Sequence, residues 1–304
     1  MRAGSRSEPG GVAKHTREAS HAPASGRTTS AKPEGLAQSE RDRGAPCPIC
    51  ASRARWAFDS RFVSVHRCEG EKCSHLFAVD VDSDHGLMHA QDSDAVASMY
   101  ADRNERLIDF WEHRRFATGS SKLLDVGAGT GHLARSLKQR LPGIEVLCVE
   151  QSESLRSRLA AQGFEVAANL DTIASERAFD AILLIEVIEH VADPVGFLSR
   201  LRSCLDREGR IFLTTPCGEL RNGSRTTNAY DTPEHVQFFS ERSLRLAVQK
   251  AGFRDIAYEY IDALYPRSKS ALSLATYKRW VKQSARPLLE KLQGARHLTG
   301  FIDP

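Results

Sequence analysis

The chemistry this chain could perform starts at a glycine-rich turn. Lys122-Leu123-Leu124-Asp125-Val126 has the short apolar run of a strand, leads into Gly127-Ala128-Gly129-Thr130-Gly131, and is followed by a helix bearing Leu133, Ala134 and Leu137. Strand, turn and helix make a ligand cradle, because glycine permits the tight turn and lets a ligand lie against bare backbone beside helix N-terminal amides. The spacing is G-x-G-x-G, and His132 stands where a dinucleotide fingerprint has its last glycine, which argues against a nicotinamide cofactor. Glu150 ends the next apolar run about 20 residues on, where a carboxylate can accept hydrogen bonds from both ribose hydroxyls of an adenosine-type ligand. A solvated strand end is its other reading.

Seven cysteines are present, four of them near the start. Cys47-Pro48-Ile49-Cys50 and Cys68-Glu69-Gly70-Glu71-Lys72-Cys73 form two pairs separated by 17 residues, close to the C-x2-C, spacer, C-x2-C pattern of zinc ribbons. The second pair has four intervening residues, which leaves His66 or His75 as substitute ligands. A module this short cannot build its own core, so a structural zinc on Cys47, Cys50, Cys68 and Cys73 would supply folding energy that burial cannot. Unliganded thiols are the alternative. Cys148, Cys204 and Cys217 fall in or beside expected elements and are expected to pack as small hydrophobes.

A further segment runs Phe179-Asp180-Ala181-Ile182-Leu183-Leu184-Ile185-Glu186-Val187-Ile188-Glu189-His190-Val191-Ala192-Asp193-Pro194. Beyond it come Gly209-Arg210-Ile211-Phe212-Leu213-Thr214-Thr215-Pro216, Pro233-Glu234-His235-Val236-Gln237-Phe238-Phe239-Ser240 and Ala251-Gly252-Phe253. With the glycine turn, these five motifs resemble class I S-adenosylmethionine-dependent methyltransferases of the ubiquinone-O-methyltransferase-like group, over roughly residues 95 to 263. The resemblance implies a Rossmann-like, doubly wound and mostly parallel α/β sheet with S-adenosylmethionine across the ends of its first two strands. Asp125, Gly127, Ala128, Gly129 and Gly131 would then hold the methionine portion, Glu150 the ribose, and Asn169, Leu170 and Ile185 would flank the adenine side. Glu186 replaces the aspartate usual at its position. The family closes with an antiparallel hairpin, whereas no final strand is evident after Ile261; it is expected to be missing or replaced by a C-terminal helix.

A sulfonium methyl is already activated, so holding nucleophile, methyl and sulfur in line provides much of the rate, and a general base can complete the site. Glu189 and His190 fall just beyond the fourth strand, where the nucleophile would arrive, and histidine titrates near working pH. The structural alternative is that Glu186 and His190 cap the helix starting near Pro194. Glu186, Glu189, His190 and His235 also resemble the E-x-x-E-H plus downstream histidine of quinone-precursor O-methyltransferases and small-RNA 2′-O-methyltransferases. That resemblance implies a divalent ion which would lower the pKa of a coordinated substrate hydroxyl.

The elements that must position these groups follow from periodicity. Strands are expected at Lys122 to Val126, Val146 to Glu150, Glu165 to Ala167, Ala181 to Ile185, Arg210 to Thr214 and Phe253 to Ile261, with helices at Leu133 to Leu141, Ser154 to Ala161, Pro194 to Leu205 and Glu241 to Ala251. An amphipathic helix over Ser93 to Phe116 precedes them. The expected domains are a disordered tail (1–45), a zinc-ribbon-like module (46–80) ended by a polar link, the methyltransferase domain (93–265) and a basic C-terminal helical extension (266–304). That extension carries Arg267, Lys269, Lys278, Arg279, Lys282, Arg286, Lys291 and Arg296, and could touch anionic lipid or RNA, or pack on the domain with a solvated face. A 41% hydrophobic and 27% charged composition with no long apolar run excludes a membrane-spanning helix, and a net charge of +3 is too small to argue for nucleic acid. The N-terminus lacks the apolar core of a secretory signal, so a cytoplasmic protein is expected. The leading functional expectation is O-methylation of a small molecule such as a phenol, quinone precursor or sugar; RNA methylation and a non-catalytic adaptor are the competing ones.

Overall fold

The computed structural model describes residues 44–79, 94–173, 178–221, 224–225, 228–259 and 297–304. The chain opens with four antiparallel strands, β1 (Ala45–Pro46), β2 (Arg53–Asp59), β3 (Ser64–Cys68) and β4 (Leu76–Val79). After α1 (Asp94–His113) the α/β alternation runs through β5 (Lys122–Val126), α2 (His132–Arg140), β6 (Glu145–Val149), α3 (Glu153–Ala161), β7 (Glu165–Ala167), β8 (Phe179–Ile185), α4 (Pro194–Ser203) and β9 (Leu205–Pro216). A small hairpin, β10 (Leu220–Arg221) and β11 (Ser224–Arg225), precedes β12 (Gln237–Phe238), α5 (Glu241–Lys250), β13 (Asp255–Tyr258) and β14 (His297–Asp303). The tail and most of the C-terminal extension expected from the sequence, like the polar link around Asp82 to Gly86, lie outside the described residues.

The main sheet has seven strands in the order β13-β14-β9-β8-β5-β6-β7, with β9 through β7 parallel and the first two antiparallel. Its central strands are apolar runs because helices cover both faces. Period-two alternation assigns each side chain to a layer. Leu123, Ala181, Leu183 and Phe212 pack on Leu107, Ile108 and Trp111 of α1 and Leu133, Ala134 and Leu137 of α2. Leu124, Ile182, Leu184, Ile211 and Leu213 face Leu198 and Leu201 of α4 and Leu244, Ala247 and Val248 of α5. No described helix is long and apolar enough to cross a membrane.

One expectation is corrected. The final strand is present: β14 is inserted between β13 and β9, antiparallel to both, so the last residues of the chain are sheet rather than helix. Leu298 and Ile302 enter one core layer and Phe301 the other, where its ring meets Phe110, Phe116 and Phe212. Gly300 is needed there, since a Cβ would lie 2.7 Å from the Ala257 carbonyl oxygen. The cysteine module shares its sheet with a strand from the α/β domain: β12 pairs antiparallel with β4, completing a five-stranded sheet β1-β2-β3-β4-β12.

Candidate active site and cysteine centre

The glycine turn follows β5. Gly127 (φ 72°) and Gly129 (φ 56°) lie in the left-handed region, and a Cβ on Gly129 would meet nothing within 4 Å, so the turn presents bare backbone to open space. The amides of Gly127 and Ala128 donate to the Val149 carbonyl at 2.8 and 3.1 Å, tying the turn to β6. Gly131 (φ 77°) is the residue at the N-terminus of α2. Glu150, buried just past β6, accepts from the Gly129 amide on Oε2 and the Ser152 amide on Oε1, both at 2.9 Å. Each carboxylate oxygen has a second lone pair, leaving the acceptor capacity that two ribose hydroxyls require.

Asp125 is buried and its Oδ2 has no hydrogen-bond partner among the described residues. Burial pushes its carboxyl up to about 7, with Glu150 adding to the rise and Arg103 of α1 opposing it. Arg103 acts on Glu186 as well as on Asp125, a placement without sequence signal because it depends on how α1 crosses the strand ends. Ile185 is half-buried at the end of β8. Asn169 spends its side-chain oxygen on the Thr172 amide (3.1 Å), capping a 3₁₀ turn that Leu170 begins, and Leu170 is half-buried.

The second half of the site lies beyond β8. Glu186 adopts φ 54°, a strained conformation for a residue with a side chain. Its amide donates to the Thr214 carbonyl (3.0 Å), Thr214 Oγ1 donates to its Oε1 (2.7 Å), and His297 Nε2 from β14 lies 3.5 Å from its Oε2. Burial works to raise this carboxyl, but His297, Thr214 and Arg103 together outweigh it and hold it below the usual range. Glu189 sits in a 3₁₀ turn, Ile188–His190, and is 1% exposed. Its Oε2 accepts from Thr215 Oγ1 (2.9 Å), while Oε1 is buried without a partner among the described residues. Burial, then the charge of Glu186, drives its pKa well above the carboxylate range.

His190 Nδ1 donates to the Glu234 carbonyl (3.0 Å) and His235 Nδ1 to the Ala229 carbonyl (2.8 Å). A carbonyl can only accept, so both Nδ1 atoms carry hydrogen and both Nε2 atoms present lone pairs when the rings are neutral. Desolvation lowers both histidine pKa values, although the His190 ring reaches solvent and His235 is buried. The rings meet edge to face with centroids 4.8 Å apart. One ligand atom each from Glu189, His190 and His235 falls within 4.8 Å of the others. Glu186, expected as a fourth ligand, is not in that group; it is turned to Thr214 and His297. Neither Glu186 nor His190 caps α4, because Asp193 does so by accepting from the Gly196 amide (2.9 Å).

The four early cysteines do converge. Cys47 Sγ lies 3.7 Å from Cys73 Sγ, Cys50 Sγ 3.3 Å from Cys68 Sγ, and all four fall within 4.8 Å of one another. A tetrahedral zinc with Zn–S bonds of about 2.3 Å sets sulfurs about 3.8 Å apart, so the donor set fits that ion. The irregular spacing also has a structural reason. Ala51 (φ 60°) and Ser74 (φ 52°) follow the second cysteine of each pair, and their amides donate to the carbonyls of Cys47 and Gly70. Gly70 therefore takes the turn position that Cys47 holds in the first knuckle, and Cys68 reaches in from the end of β3. Hydrogen bonding from Cys73 lowers the Cys47 thiol to about 5, while burial raises Cys68 to about 12. His66 and His75 are not in the cluster; His75 hydrogen-bonds Ser243 and Gln237 instead.

A glycine turn and a ribose-type carboxylate at the carboxyl ends of adjacent parallel strands define an α/β protein that holds a nucleoside-like cofactor. A methyltransferase domain model matches residues 97–258, more than half of the 304-residue chain, and the chain belongs to that family. Its doubly wound, mostly parallel sheet is the architecture expected of such a domain. The chain is similar to the ubiquinone biosynthesis O-methyltransferases of Pseudomonas aeruginosa (28% identity over 112 residues, 34% of this chain and 48% of the relative) and Xanthomonas axonopodis pv. citri (30% over 110 residues, 33% and 45%). The chain thus spans about half the length of these curated relatives. A solved S-adenosylmethionine-dependent methyltransferase from Archaeoglobus fulgidus aligns with 66% of this chain and 94% of its own at 18% identity and a TM-score of 0.46.

Proposed function

We propose that this enzyme methylates a hydroxyl of a small molecule, such as a phenol, a quinone precursor or a sugar. The observation that supports the reading is that one ligand atom each of Glu189, His190 and His235 falls within 4.8 Å of the others, just beyond the end of β8, which lies beside β5 and its glycine turn. In this reading the turn from Gly127 to Gly131 holds the methionine backbone, Asp125 takes its ammonium and Arg103 its carboxylate. Glu150 accepts from the ribose hydroxyls, with Ile185, Asn169 and Leu170 beside the adenine. His190, the one member of the cluster open to solvent, meets the incoming hydroxyl and accepts its proton on Nε2; His235 and Glu189 fix its surroundings.

Glu189, His190 and His235 also fit a divalent ion as a two-histidine, one-carboxylate set, each imidazole oriented by a carbonyl behind it. Such an ion would acidify a bound hydroxyl. Zinc on the four cysteines is a separate, structural proposal.

Labelled S-adenosylmethionine with the purified chain and a panel of phenols, quinone precursors, sugars and RNA oligonucleotides tests the acceptor. Label on a small-molecule oxygen is expected, and label on RNA alone would overturn the reading. For the ion, a chelator too weak to strip thiolate-bound zinc is expected to abolish transfer while sparing cofactor binding, and added Mg²⁺, Mn²⁺ or Zn²⁺ to restore it. His190→Ala and His235→Ala should lower turnover far more than cofactor affinity. Full activity in the chelator would leave His190 as a metal-free base.

A further inference from the structure

The cluster Glu189, His190 and His235 is held from behind by the cysteine module. The Val236 amide donates to the Glu189 carbonyl (2.9 Å), and the Val236 carbonyl accepts from the Ala78 amide next to β4 pairing (2.9 Å). Gln237, the first residue of β12, donates through Nε2 to the carbonyls of Val191 (3.0 Å) and Ala192 (3.2 Å), the two residues after His190. Its Oε1 lies 2.8 Å from His75 Nε2. Because Oε1 can only accept, His75 carries its hydrogen on Nε2, and Nδ1 accepts from the Ser243 hydroxyl (3.2 Å) at the start of α5. His75 in turn sits two residues after Cys73, and its carbonyl accepts from the Cys68 amide (2.8 Å). Arg242 of α5 donates to the carbonyls of Glu71 and Lys72 in the same knuckle. Ala229, whose carbonyl fixes His235, is buried with Tyr230 and Phe238 against Val63, Val65 and Leu76 of the module.

We propose that His75 and Gln237 are positioning residues of the active site, a buried hydrogen-bond link that fixes the His190 segment to the cysteine knuckle. The module is thus the rear wall of the catalytic cluster. Each polar atom in the link is paired: Gln237 spends its oxygen on the module and its nitrogen on the catalytic segment, and both His75 ring nitrogens are used. A buried network with all members satisfied specifies one geometry, and removing a member leaves its neighbours unpaired in a low-dielectric interior. The stacked ring of Phe77 and the nearby ring of Phe239 close the space around His75, so water is poorly placed to substitute.

The inference rests on reading the cluster as catalytic, but its test needs neither an acceptor nor an active-site ion. Ring-nitrogen NMR on the full-length protein labelled at histidine reports the tautomer of each imidazole. Wild-type His190 is expected to be a single tautomer with hydrogen on Nδ1. Gln237→Leu should convert it to a tautomer mixture while calorimetric binding of S-adenosylhomocysteine at the glycine turn stays at the wild-type level. Gln237→Glu, which keeps an acceptor for His75 but loses both donors to Val191 and Ala192, should do the same and serves if the leucine variant fails to fold. Val248→Ala, a core truncation outside the link, should leave the His190 signal unchanged. An unchanged His190 tautomer in the Gln237 variants, or an equal change in Val248→Ala, would overturn the proposal.

Discussion

Two carboxylates at the head of the sheet behave differently, and each carries a prediction. Glu150 already accepts two backbone amides, so it is held in place before any ligand arrives. Losing a charged acceptor that serves two hydroxyls costs about 1.5–3 kcal/mol. Glu150→Ala is therefore expected to weaken S-adenosylhomocysteine binding by roughly 10- to 100-fold by calorimetry; wild-type affinity would remove Glu150 from the ribose. Burial pushes the Asp125 carboxyl up from 3.8 to about 7. Between those values the folded chain keeps a proton that the unfolded chain has lost, so this group's contribution to stability declines as pH rises from about 4 to about 7. An ammonium delivered to Asp125 favours its ionised form, so cofactor binding near pH 6 should release protons. Calorimetry in buffers of different ionisation enthalpy measures that release, and Asp125→Asn should abolish it.

Among the elements, β14 departs most from expectation. Seven residues at the end of the chain enter the middle of the antiparallel half of the sheet, and their buried side chains link both core layers. The strand also delivers His297 to Glu186, a partner that motif reading did not offer. Phe301→Ala should cost about 3–5 kcal/mol, the range for removing a buried aromatic ring from a close-packed core, read from denaturant unfolding. A loss below about 1 kcal/mol would match a surface residue instead. β14 was hard to read because Thr299 and Gly300 interrupt its apolar alternation. Its hydrogen bonds go to strands about 45 and about 85 residues earlier, so no local preference reports them. By contrast β5, α2 and α5 lie within a residue of their expected bounds, since each combines a clear apolar period with glycine or serine at its end.

For the molecule as a whole, the segment after β9 contributes β12 to the cysteine sheet, so metal content and the geometry of the His190 segment are expected to be linked. Elemental analysis of protein purified without added metal should find about one zinc per chain. Four freely titratable thiols in the native protein would count against it. The sequence by itself determined the α/β alternation, the glycine turn with Glu150 and the clustered cysteines, because these are short-range patterns in which neighbours along the chain remain neighbours in space. Only the tertiary structure decided that Glu186 leaves the histidine cluster for Thr214 and His297. It alone showed that Arg103 acts on both Asp125 and Glu186, that β14 lies between β13 and β9, and that the cysteine module pairs with β12. Each of those depends on which distant segments share an edge or a layer, and hydrogen bonds between β4 and β12, or between His75 and Gln237, leave no periodic trace in the chain that makes them.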